Sequence, residues 1–183
     1  MSLPRKIYLL TVLLPLLLPV KLIGKAPQSS QEQLKATFLF NFTQFVEWPA
    51  DAYMHPGAPF LIGLYGLQSF EKLLDETVRG GRVAGHPIRI LPVSKLADIS
   101  QCQMLFISKS QVGSFFQIQP RLRGLNILTV SDAANFCKWG GVIAFISDSS
   151  RIRLQINLEA AAESGLRVSS KLLRLAEIVS PKS

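Results

Sequence analysis

Acid–base, nucleophilic or metal chemistry at neutral pH would rest on few side chains here: two histidines, His55 and His86, and two cysteines, Cys102 and Cys137. Histidine titrates near neutrality and suits proton transfer. Yet His55 falls in a Pro/Gly stretch and His86 sits just before Pro87, and neither adjoins a nucleophile motif. The sequence contains no G-x-S-x-G elbow, H-E-x-x-H pair or P-loop. Two cysteines and two distant histidines lack the clustering of a zinc site. Gly63 and Gly66 follow an apolar run, but the third glycine and the acidic ribose partner of a dinucleotide fingerprint are missing from their places. These residues predict no catalytic site, no metal and no cofactor. In an oxidising compartment the pair Cys102 and Cys137 invites a disulfide, closing a loop of about 35 residues and contributing ~3–4 kcal/mol by chain entropy. Two buried free thiols, packed as small apolar groups, are the other reading.

Recognition chemistry is better represented. The stretch Phe45-Val46-Glu47-Trp48-Pro49 ends a helix and offers either core packing or an amphipathic indole, with Glu47 beside it, to a ligand or partner. Trp139 lies in the turn Lys138-Trp139-Gly140-Gly141, where an aromatic is more easily exposed than in a strand. Asn157 either caps the following helix or makes a contact of its own. Arg167, read as a loop residue between two helices, presents a planar fork to an acidic group or faces water. Trp48, Trp139 and Arg167 together would suit an apolar pocket with one cationic contact.

The elements that must position these groups follow from the hydrophobic pattern. The first residues read as a leader: Arg5 and Lys6 precede an apolar run from Ile7 to Val20, of signal-peptide length and too short for a spanning helix. Residues 1–26 are therefore expected to be a cleaved signal peptide and 27–183 the working domain, with uncleaved tethering by residues 7–20 as the alternative. Gly24-Lys25-Ala26 supplies small residues for cleavage, although Pro27 follows directly. Much of the mean hydropathy of +0.28 comes from this leader. Without Arg5, Lys6, Lys21 and Lys25 the formal net charge falls from +8 to +4, and the remaining cations are scattered rather than striped, which argues against nucleic acid.

Within the domain a helix is predicted from Ser30, capped by Ser30 itself, to Trp48, with Leu34, Phe38, Phe42, Phe45 and Val46 on its apolar face and Pro49 as its stop. Strands are predicted at Phe60–Tyr65, Ile88–Val93, Cys102–Ser108 and Asn126–Val130, and Val142–Ile146 with Arg151–Asn157 form a hairpin about Asp148-Ser149-Ser150. Helices are expected at Ser69–Val78, near 110–118, at Leu158–Glu163 and at Ser169–Ile178. Alternating strands and helices with a terminal hairpin specify one compact α/β domain, a mixed sheet covered by helices on both faces.

One resemblance runs the length of this domain. Lys35-Ala36-Thr37-Phe38-Leu39-Phe40-Asn41-Phe42 with Phe45-Val46-Glu47-Trp48-Pro49 resembles the opening of the YfiR family. Cys102 to Ser108, Leu128 to Asp132, Gly140 to Ile143, Ile156 to Ala161, and Ser164 to Ser170 with Leu172-Leu173 follow in the family's order, covering residues 33–179. The resemblance implies a non-enzymatic, periplasmic repressor. It would bind the periplasmic domain of an inner-membrane diguanylate cyclase and hold it inactive, limiting cyclic-di-GMP and biofilm formation. It also implies a compact α/β fold able to form a homodimer, and no stable membrane insertion once the signal is cleaved. Family cysteine sites match Cys102 and Cys137, while their usual partners fall at Gly63 and Ala144; a Cys102–Cys137 bridge would be a different connection. The competing reading is a ligand-sensing module for a membrane sensor kinase.

Overall fold

Strict alternation along the central strands gives this chain two cores, one on each face of a single sheet. The computed structural model describes residues 28–66, 68–148 and 151–180; the expected signal peptide and the Ser149-Ser150 turn lie outside them. In chain order the elements are α1 (Gln28–Phe45), β1 (Val46–Glu47), β2 (Phe60–Tyr65), α2 (Gln68–Val78), β3 (Arg82–Val83), β4 (His86–Pro92), α3 (Leu96–Ile99) and β5 (Met104–Ile107). Then follow α4 (Phe115–Leu122), β6 (Leu128–Ser131), β7 (Ile143–Asp148), β8 (Arg151–Ile156), α5 (Leu158–Glu163), β9 (Arg167–Val168), α6 (Ser170–Leu173) and β10 (Ala176–Ile178). Successive strand residues point to opposite faces. Met104 and Phe106 of β5 thus join Phe60, Ile62 and Leu64 of β2 in one core, under Leu39 and Phe42 of α1 and Phe70 and Leu74 of α2. Their neighbours Leu105 and Ile107 face the other way, into a second core closed by Ile99 of α3, Phe115, Ile118 and Leu122 of α4, and Phe136.

The sheet has eight strands in the order β10-β8-β7-β6-β5-β2-β4-β3. The run from β4 to β7 is parallel, and β2 and β5 within it are largely buried on both faces, which explains their nearly unbroken apolar sequence. β8 then turns back antiparallel to β7, as the hairpin pattern predicts, and β3 pairs antiparallel with β4. The molecule is thus a mixed α/β single domain, with helices covering both sheet faces.

Three local expectations are corrected. The first helix already runs at Gln28, so Ser30 lies inside it rather than capping it, and Leu34 is exposed while Ala36, Leu39 and Phe42 carry the buried face. It stops at Phe45, because Val46 and Glu47 pair antiparallel with Val168 and Arg167 in a separate two-stranded ribbon. The Ser169–Ile178 helix is only one turn, α6. Beyond it, Ala176–Ile178 pairs parallel with Leu154–Ile156 and covers the open edge of β8. Helical periodicity cannot register a long-range ladder of this kind.

Candidate functional site

The residues singled out for recognition divide into two groups. Glu47 and Arg167 face each other across the β1–β9 ribbon, with Arg167 Nε 3.7 Å from Glu47 Oε2. Arg167 is therefore a strand residue, not a loop residue. Both side chains are open to solvent, so the pair contributes little to stability. Trp48, one residue on, turns inward. Its ring meets Phe60 edge-on at 4.8 Å, and its Nε1 donates to the carbonyl of Gln103 at 3.0 Å. The indole donor is spent on the fold, and the part-buried ring packs on Phe60. Gln103, which the sequence alone did not single out, is buried and braces this corner: Oε1 accepts from Leu61 N at 2.8 Å, and Nε2 donates to Ala52 O at 2.7 Å.

Asn157 is also spent internally. Its Oδ1 accepts from Ala160 N at 2.9 Å, capping α5, and its Nδ2 donates to Cys137 O at 2.9 Å. The second bond fixes the single 3-10 turn Cys137–Trp139 against the start of α5. From the other side Gln119 Nε2 donates to Trp139 O at 2.9 Å, tying the same turn to α4. Gly140 leaves the turn at φ 90°, in the left-handed region glycine adopts without strain.

Trp139 is thus held outward on a braced turn. Its ring lies 5.5 Å from that of Phe116, tilted by 58°, and the two residues remain 36% and 52% exposed. A groove of about 250 Å³ runs beside the pair, bordered by Gln119, Lys138, Glu159 and Glu163. A rigid exposed aromatic pair beside a polar groove is the arrangement that supplies interface hot spots. Phe116 was missed in the sequence. Its signal was there in principle: Phe115 and Phe116 are adjacent on α4, about 100° apart around the helix, and Phe115 fills the core.

Cys102 and Cys137 are both free and buried, which corrects the expected Cys102–Cys137 bridge. Cys102 lies against β2, where a Cβ placed on Gly63 would stand 2.7 Å from its Sγ. Cys137 lies against β7 and β8, its Sγ 3.5 Å from Val142 O and 3.4 Å from Gln155 O and in contact with the Ala144 backbone. β2 and β7 are three positions apart in the sheet, about 14 Å at the usual strand spacing, well beyond disulfide reach. Each thiol instead faces the position that the family resemblance pairs with it. Burial pushes both up to about 12, so neither is a ready thiolate at neutral pH.

Of the two histidines, His86 does structural work. His86 bonds Ala58 O through Nδ1 at 2.6 Å and stacks on Tyr53 at 3.8 Å, and His55 is exposed in its loop. Burial raises the Tyr53 phenol above its ordinary value. Among the described residues no group of three or more metal-ligating side chains comes together, and no helix is long and apolar enough to cross a membrane.

Comparison with known proteins places these features in a family. Among curated proteins none matches the chain. Matching solved structures include the ABC domain in complex with L-Trp from Streptococcus pneumoniae, at 13% identity and a TM-score of 0.48, covering 79% of this chain and 60% of that one. The chain therefore spans less than two thirds of that protein's length. The model of the YfiR/HmsC-like family matches residues 32–177, which include the two cores, the ribbon and the aromatic pair. The chain belongs to the YfiR/HmsC-like family, a family of periplasmic regulators of diguanylate cyclases.

Proposed function

We propose that this protein is exported by its N-terminal leader, binds the periplasmic region of an inner-membrane diguanylate cyclase and represses it, lowering cyclic-di-GMP and biofilm formation. Family membership over residues 32–177 carries the reading. The geometry supports a binding role in one specific way. Trp48 and Asn157 are consumed by internal hydrogen bonds, whereas Trp139 and Phe116 are exposed on a braced turn and helix. That pair is the proposed contact for the cyclase.

Repression then follows from population shift: the protein must bind the inactive cyclase more tightly than the active one. A preference of about 100-fold, roughly 2.7 kcal/mol, is enough to reset a balanced equilibrium at saturation. The test is to delete the gene and measure cyclic-di-GMP, then to recover the membrane partner by affinity capture on the wild-type protein. Cyclic-di-GMP should rise on deletion, and the captured protein should carry a cyclase domain. An unchanged cyclic-di-GMP level, or capture of a sensor kinase in place of a cyclase, refutes the proposal.

A further inference from the structure

The exposed aromatic pair has charged neighbours that its packing does not use. Glu159 and Glu163 stand four residues apart on α5, on successive turns of one helix face, and both are exposed. With Lys138 and Trp139 they border the groove of about 250 Å³. Like charges at this spacing repel, and among the described residues neither carboxylate has an ion-pair partner. Lys138 borders the groove without pairing to either, and so does Arg123 in the adjoining cleft that Glu163 shares. The groove's own lining thus sets two carboxylates against one ammonium. That is a local excess of negative charge on a chain whose formal net charge is +8.

One side chain fixes the ring and the acids relative to each other. Asn157 Nδ2 holds the turn that carries Trp139, through Cys137 O, while its Oδ1 caps the helix that carries the glutamates, through Ala160 N. Indole and carboxylates are therefore set before any partner arrives, which lowers the ordering cost of binding. An indole face attracts a cation placed within about 6 Å of its ring. Of the two common cations, arginine suits this surface better. Its planar guanidinium stacks on an aromatic face while its edge keeps a rigid fork of donors for carboxylates. A lysine ammonium is a point charge on a flexible stem and stacks on nothing. Arginine and tryptophan are also the residues that dominate interface energetics.

We propose that the membrane partner inserts one arginine into this groove, its guanidinium stacked on Trp139 and bonded to Glu159 and Glu163, while an apolar residue beside that arginine covers Phe116. The inference rests on the aromatic pair being the partner contact, as proposed above, and adds the chemistry of the segment it recognises. The same glutamates turn away an acidic segment, because a like charge set against them is repelled.

The experiment is affinity capture from solubilised membranes of the same cells, with the protein as purified from those cells and two double variants as bait. Glu159→Gln with Glu163→Gln should weaken capture about tenfold or more and remove most of its salt dependence. Glu159→Lys with Glu163→Lys should abolish it. Both sites are exposed, so melting curves close to the wild type show that the variants fold. A photocrosslinking residue at position 116 should mark a partner segment that contains an arginine. Changing that arginine to glutamate should restore capture by the Lys variant, a rescue that a purely structural role for the glutamates would not give. Equal capture by the wild type and both folded variants overturns the inference, as does a marked segment without arginine. Charge-sensitive capture of a sensor kinase supports the groove assignment and overturns the cyclase reading alone. Failure of the wild type to capture any membrane protein overturns both.

Discussion

Replacing Gly63 with cysteine should lock β2 to the segment entering β5 by a disulfide to Cys102. A Cβ at residue 63 would lie 2.7 Å from Cys102 Sγ, close to the roughly 3 Å that separates a Cβ from the far sulfur of a relaxed bridge. The bond would close a loop of about 40 residues, worth about 4 kcal/mol by chain entropy. Against this stands crowding. The new Cβ also meets Val93 Cγ2 at 3.0 Å and Leu105 Cδ1 at 3.1 Å, an overpacking cost of about 1–3 kcal/mol. The oxidised variant should therefore gain about 2 kcal/mol, or roughly 4–8 °C in Tm for a domain of this size. Reduction leaves only the crowding, so the reduced variant should melt below the wild type. Differential scanning calorimetry with and without dithiothreitol reads both signs, and thiol titration of the denatured protein should find one free cysteine in the oxidised variant. Three free thiols, or a mapped bridge from residue 63 to Cys137, would refute the assignment of Cys102 to Gly63.

Other outcomes can be checked beside it. Phe116→Ala with Trp139→Ala should cost about 1–2 kcal/mol of stability, because each ring is part-buried against the other, yet leave the domain folded and weaken binding to the membrane partner by about 2 kcal/mol or more, roughly 30-fold; pulldown against a melting curve separates the two effects. Asn157→Ala removes a helix cap and strands the carbonyl of Cys137, so urea denaturation should show a loss of about 2 kcal/mol. The two thiols rest folded at about 12, above their unfolded range. Their contribution to stability is whole below about pH 9 and is lost as pH rises toward 12, because the unfolded chain ionises first. Denaturation midpoints should fall across that window, and the fall should flatten in Cys102→Ala with Cys137→Ala.

Local chemistry was legible in the sequence, and long-range pairing was not. Phe60–Tyr65 and Leu158–Glu163 are bounded as the pattern predicts, since a run of core-facing residues or an Asn cap carries its own limits. The hairpin of β7 and β8 was readable because its polar turn formers sit between two apolar runs. β1, β9 and β10 are two or three residues long and exist through partners far along the chain, so no local pattern announces them. The site divides in the same way. Asn157 betrayed its cap by its place before a helix, whereas the outward setting of Trp139 depends on Gln119 of α4 and Asn157 holding its turn. Lys35 and Asp132 are ordinary surface letters in sequence, and only the return of α1 over the sheet makes them a part-buried ion pair, with Lys35 Nζ 2.7 Å from Asp132 Oδ2.

The ribbon that joins residues 46–47 to 167–168 has a bearing on how the chain matures. The first helix rests on α2 but also on β8 and α6, so its docking is completed only when the last third of the chain is present. A growing polypeptide with that arrangement cannot close its ribbon until nearly all of it has emerged. An incompletely closed chain is the condition in which a secretion channel accepts its cargo, as the proposed export requires.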